Sequence, residues 1–474
     1  MHVKKVKYIL AGIFLAVGAG GPAFADDVMQ SIQQKAASGK LPEAEMALSK
    51  GDNQTAFGIY RHFADENIPE AQYQLGWMYL NGRGVEKNAA MAAAWFMKIK
   101  DRIPLAGFAL GTLYYWGMGV EQGLPQAIIL YRQAAARKEP HAAFMLGVFS
   151  EKGEGMPADP LAAQKWYTEA AGGGLPEAQY NLGLQYYNGS GHVIPVDPVR
   201  AFNWMTLAAG SGYGPAASML GLMYETGKGV ARDRAAAFSW YQKAAAAGVP
   251  EAEYNLGVSY YNGWGTAANP KTGFSSVSRA AQAGFPMADY LLGYLVFNGI
   301  GTPANEEAGI GFYSKAAGAG VPEAQFALGY LFHNGKGVQK DDHEAFAFFL
   351  AGAKQGLASA EYMAGLFYQQ GLSLPANPVA AASWFLAAAK QGMDNAQLLL
   401  GVMYAGGSGI AQDKKNAWAW LDLASTSSNS QIRDAAIKMR DAVGERMQPA
   451  EIVVAKTLAE NYYSEYAKES SLVY

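Results

Sequence analysis

Catalysis needs nucleophiles, paired titratable groups or metal ligands, and this 474-residue chain offers few of any. It has no cysteine, which removes thiol nucleophiles, thiolate metal sites, disulfides and lipid attachment at a cysteine together. His62, His141, His192, His333 and His343 lie apart, without the i, i+4 or His-x-His spacing that metals favour. Neither a Ser-x-x-Lys nor a Gly-x-Ser-x-Gly elbow occurs, so the common serine-nucleophile frames are missing. Gly-x-Gly pairs such as Gly263-Trp264-Gly265 look like phosphate loops, but they end helices rather than open them and so lack the amides that hold an anion. Glu177, Glu251 and Glu323 each follow a proline at a helix start, where a carboxylate complements the helix dipole instead of pairing for acid–base work. The expectation is a non-enzymatic chain with no cofactor and no metal. Its remaining tool is affinity, for which aromatic side chains are the usual anchors.

A repeat sets where those aromatics fall. Leu-Gly recurs with its glycine at 76, 111, 147, 183, 221, 257, 293, 329 and 401, and Ala364-Gly365 is a one-residue variant. Six residues after each comes another glycine, from Gly82 to Gly407, and two residues later a third, except at Ser373 in the ninth unit. Those three sites hold 29 of the 56 glycines, so the glycine content is architectural. Each unit reads as two antiparallel helices. A proline-acid start such as Pro176-Glu177 or Pro322-Glu323 opens the first, and apolar residues follow at helical spacing, as in Ala178, Leu182 and Tyr186. The glycine beside the leucine costs about 1 kcal/mol against alanine in a helix, which implies a neighbour packed too close for a Cβ. The Asn-Gly-x-Gly segment stops the helix. The second helix carries an aromatic pair on an alanine background, as in Trp95-Phe96, Trp166-Tyr167 and Trp384-Phe385. In the sixth unit Phe274 stands without an aromatic partner, which predicts a weak second helix there. The fourth unit inserts two residues near His192 to Asp197. Ten such units stack into one core, so the fold class is all-α: a right-handed α-solenoid of stacked antiparallel helix pairs.

The same residues carry a family likeness. Pro69-Glu70-Ala71-Gln72-Tyr73-Gln74-Leu75-Gly76, the Asn-Gly-x-Gly-Val stop and the Ala-x-x-Trp-Tyr second helix resemble the Sel1-like repeat, a longer-looped relative of the tetratricopeptide repeat. The likeness covers residues 67–425. It implies an adaptor: Sel1-like proteins of bacterial envelopes serve in exopolysaccharide export, flagellar motor assembly, signalling control and host-protein binding. The alternative reading is a regulator of cell-envelope machinery, either exopolysaccharide export or a peptidoglycan enzyme. The lipid-anchored export scaffolds begin at a cysteine, and the disulfide-stapled subgroup has one bridge per unit; this chain departs from both.

If the first helix lines a groove, as that likeness implies, the residues one and four after each Leu-Gly point into it. Aromatics at or beside these positions give the candidate partner-binding set: Trp77, Tyr115, Trp116, Tyr187, Tyr261, Tyr294, Phe297, Tyr330 and His333. Two readings are open. The rings anchor a protein partner or a glycan, or they pack against the adjacent unit as ordinary core.

The ends are atypical. Residues 1–25 read as a signal peptide, with Lys4, Lys5 and Lys7 ahead of an uncharged apolar run from Tyr8 to Ala19 and a small-x-small site at Ala23-Phe24-Ala25. Cleavage between Ala25 and Asp26 leaves 34 basic and 40 acidic side chains, a periplasmic or secreted product without a membrane span. A mildly acidic chain without basic blocks is a poor match for nucleic acid. Residues 26–66 read as an N-terminal capping helix pair and 426–474 as C-terminal capping helices, with stretches at Ile432–Val443 and Ala450–Tyr466.

Overall fold

The computed structural model describes residues 41–190 and 193–467. The signal-peptide reading, residues 26–40 of the first cap, His192 and the last residues from Lys468 lie outside them. The described residues form 24 α-helices and a closing π-turn at Tyr463–Ala467; the one extended pairing among them is an isolated antiparallel bridge between Ser190 and Ile194. They divide into two compact units, one running to Val249 and one from Pro250. Each unit is five repeats of two packed helices with terminal helices added, and the all-α helix-pair architecture read from the sequence holds.

Every repeat is built the same way. The first helix has 13 residues in all ten, as in Pro69–Asn81, Pro176–Asn188 and Pro322–Asn334. Proline at its first turn lacks only an N–H that would go unbonded anyway. Glycine closes it in the left-handed conformation, as at Gly82 (φ 68°) and Gly335 (φ 65°). The second helix opens on a side-chain cap that the sequence reading passed over: Asn88, Asp159, Asp197, Asp233, Asn269, Asn305, Asp341, Asn377 and Asp413 each accept a backbone N–H of the first turn. The cap residue's own N–H donates back to the first helix, as Asp233 does to the Tyr224 carbonyl at 2.9 Å, which folds the two helices together.

The helical glycine has its reason in packing. A Cβ added at Gly76 would lie 2.7 Å from the Phe96 ring, at Gly147 2.6 Å from Tyr167 and at Gly365 2.6 Å from Phe385. The second residue of each aromatic pair therefore sits flat on the glycine, and the leucine beside it is buried, as at Leu110, Leu146, Leu182 and Leu400. Each such leucine contributes about 1.5–3 kcal/mol by leaving water. The sixth repeat corrects an expectation. Its second helix, Pro270–Gln282, is full length and capped by Asn269, because Val277 rather than a ring fills the niche over Gly257. Met205 and Leu421 do the same over Gly183 and Gly401.

The ends differ from the repeats. Helices Pro42–Ser49 and Asn53–Asp65 precede the first repeat and pack on it through Tyr60 and Ala64. Helices Ser430–Gly444 and Pro449–Tyr462 follow the tenth, where Tyr462 and Tyr466 stack on Trp420. No helix among the described residues is long and apolar enough to cross a membrane.

Candidate interaction face

The side chains one and four after each Leu-Gly share a face of the first helix, but that face is not equally open along the chain. Trp77 is fully buried and its indole N–H donates to the Tyr73 hydroxyl at 2.8 Å. Tyr187 and Phe297 are also buried. These three are core, which corrects their place in the candidate set. The cause for the latter two is a residue from the next repeat. The variable residue between its two loop glycines reaches back, so that the Lys228 ammonium lies 3.6 Å from the Tyr187 ring centroid and the Lys336 ammonium 4.9 Å from that of Phe297. Lys228 also donates to the Tyr187 carbonyl at 3.0 Å. Burial beneath the loop lowers the Lys228 pKa and pushes the Tyr187 hydroxyl up to about 12.

Tyr115 follows the same rule with an acid in place of the lysine. Its hydroxyl donates to Glu154 of the next loop at 2.9 Å, and burial first, then Glu154, push its pKa to about 12. Trp116 lies edge-on to it, and both are half-buried. His333 is half-buried and committed: its Nδ1 lies 2.6 Å from Asp342 Oδ1, and its ring stands edge-on to Phe367.

Three candidates remain open. Tyr294 is 40% exposed and Tyr330 52% exposed, at the same position of successive repeats. Tyr261 is half-buried and hydrogen-bonds Tyr294, which holds its pKa above the ordinary tyrosine value. The same register carries half-buried Val258 and Leu366 and exposed Val402, none of which was singled out as a site residue. The structure thus leaves an apolar, partly aromatic stripe on the first helices of repeats six to ten.

A polar ladder that the sequence reading did not assign supports this face. In seven of the ten repeats the residue four before the Leu-Gly glycine is a glutamine or an acid that bonds the end of a neighbouring helix. Gln72, Gln179, Gln325 and Gln397 donate to the carbonyls of Ala64, Ala171, Ala317 and Ala389, at the end of the preceding helix. In the sixth, seventh and ninth repeats that position is an acid: Glu253 pairs with Arg279, Asp289 with Lys315, and Glu361 accepts from Gln391. The signal was on the page as the recurrent glutamine of Pro-Glu-Ala-Gln.

Among the described residues no group of three or more histidines and acids is placed to hold a metal ion. An open cavity of about 780 Å³ beside the last helices is lined by Trp418, Arg440 and Tyr463, but Arg440 already bonds Asp422 and Asp441.

The class this defines is a helix-pair repeat protein. Within it, the Sel1 repeat family matches residues 69–98, 104–138, 140–175, 176–213, 214–249, 250–285, 286–321, 322–357, 358–393 and 394–429. The chain belongs to the Sel1 repeat family. Among solved structures it is similar to a protective antigen present in uropathogenic Escherichia coli strains that displays an SLR fold, at 28% identity over 87% of this chain and 95% of that one, with a TM-score of 0.54. It is also similar to a Sel1 repeat protein from Oxalobacter formigenes, at 32% identity over 66% of this chain and 90% of that one, TM-score 0.46. No curated protein matches the sequence.

Proposed function

We propose that this chain is a non-enzymatic periplasmic or secreted scaffold that binds a partner protein through the face carrying Tyr294 and Tyr330. Sel1 and related repeats are typically protein-interaction scaffolds. The observation that carries the assignment to this face is the exposure of two tyrosines at a register that is buried throughout the first five repeats. Exposed rings on a rigid helical frame lose little conformational freedom when covered, and a ring with a hydroxyl supplies both apolar area and a hydrogen bond. The location rests on the basic, apolar and small-x-small order of residues 1–25.

One observation favours a host-facing version over a regulator of envelope machinery. A solved relative covering 87% of the chain at 28% identity is described as a protective antigen present in uropathogenic Escherichia coli strains. A glycan along the tyrosines is the competing occupant. The test is a photoreactive residue placed in turn at 294, 330 and 379 in living cells; Val379 is 64% exposed on a second helix. The proposal expects one crosslinked protein of defined mass from 294 and 330 and none from 379. Crosslinks from 379 alone, or glycan-only adducts from the tyrosine positions, overturn it.

A further inference from the structure

The chain contains five Asn-Gly pairs, at 81, 188, 262, 298 and 334, each at the end of a first helix. Asn-Gly is the dipeptide most open to deamidation, since glycine leaves its own backbone nitrogen unhindered. Four of the five asparagines are tied. Their Nδ2 donates to the carbonyl four residues back, at Trp77 (3.1 Å), Val258 (2.9 Å), Tyr294 (2.8 Å) and Tyr330 (2.8 Å). Asn188 is exposed and its amide makes no hydrogen bond among the described residues. The backbone beyond it also differs. Gly189 has ψ −179°, whereas Gly82, Gly299 and Gly335 have ψ of 36°, 38° and 34°. The longer loop of the fourth repeat leaves Gly189 directly for the Ser190–Ile194 bridge. The glycine N–H does not distinguish the sites, since it bonds the carbonyl four residues back at Gly82, Gly189 and Gly335 alike.

We propose that Asn188 is a self-modification site, the position at which the folded chain deamidates first. Once its bond to the Gln185 carbonyl opens, the Gly189 backbone nitrogen gives its proton to solvent and bonds to Asn188 Cγ; the Cγ–Nδ2 bond breaks, and Nδ2 takes a proton from solvent and leaves as ammonia. Water then opens the resulting succinimide at either carbonyl, giving aspartate or isoaspartate. The product puts a carboxylate at the C-terminal end of the helix, where the dipole opposes negative charge. Deamidation thereby loosens the fourth repeat ahead of the other four sites.

At the tied positions the side-chain hydrogen bond must open before ring closure. A bond of ordinary strength makes that a factor of about five in rate. The experiment is peptide mapping by mass spectrometry of the full mature chain held folded in mildly alkaline buffer, with a parallel sample in urea. The expected result is conversion at Asn188 about fivefold faster than at the other four in the folded sample, and equal rates at all five in urea. The proposal is overturned if Asn188 converts no faster than the others when folded. It is equally overturned if its lead persists in urea, because sequence rather than structure would then set the rate.

Discussion

The residue after each Leu-Gly reads Trp77, Thr112, Val148, Leu184 and Leu222 in the first five repeats, and all five are buried. In the next five it reads Val258, Tyr294, Tyr330, Leu366 and Val402, and none is. The backbone position is the same in both sets; its surroundings are not. Trp77 is bonded to Tyr73, and Thr112 bonds both the Phe108 carbonyl and the Tyr131 hydroxyl, so these side chains complete the core. Tyr294 and Tyr330 stand outside it. One register thus serves stability in one unit and is left available in the other, which is why a repeat position does not by itself have a function.

The largest effect that sharpens this contrast is at Trp77. Trp77→Ala should destabilise the chain by about 3–5 kcal/mol, as expected for truncating a fully buried large side chain. Tyr330→Ala should stay within about 0.5 kcal/mol of wild type. Urea unfolding of both variants checks the pair, and comparable losses would break the comparison. A step smaller is the glycine niche. Gly147→Ala drives a Cβ into the Tyr167 ring and should cost about 1–3 kcal/mol. Gly311→Ala, in a second helix with open space around it, should stabilise by about 1 kcal/mol. Thermal melts of the two variants should therefore shift in opposite directions.

Smaller still is the response to alkali. Tyr115 and Tyr187 hold their protons to about pH 12, above the ordinary value near 10. A pKa raised by folding means that the folded state binds the proton more tightly than the unfolded chain. Its contribution is complete below pH 10 and is lost as pH climbs towards 12. Stability should therefore fall across that window, less steeply in Tyr187→Phe than in wild type, as denaturant titrations at successive pH values would reveal.

Much of this was legible in the sequence. Leu-Gly spacing, proline starts and Asn-Gly stops located the helix pairs, and the energetic cost of a recurrent helical glycine pointed to the ring that lies on it. Local signals failed where the deciding neighbour is distant in the chain. Tyr187 is covered by Lys228 and Phe297 by Lys336, partners about one repeat away that belong to the next loop. No periodicity of the first helix announces that contact, so Trp77, Tyr187 and Phe297 looked equivalent to Tyr294 and Tyr330. The sixth second helix misled for a related reason. The niche over Gly257 needs volume, not aromaticity, and Val277 supplies it.

On the proposed function, affinity for a protein partner resides in Tyr294 and Tyr330 and is separable from folding. The most direct measurement is partner recovery by Tyr294→Ala plus Tyr330→Ala, with an unchanged urea midpoint confirming the fold. Loss of at least about 2 kcal/mol of binding, as expected of a hot-spot pair, agrees with the claim. Undiminished recovery by the folded double variant contradicts it.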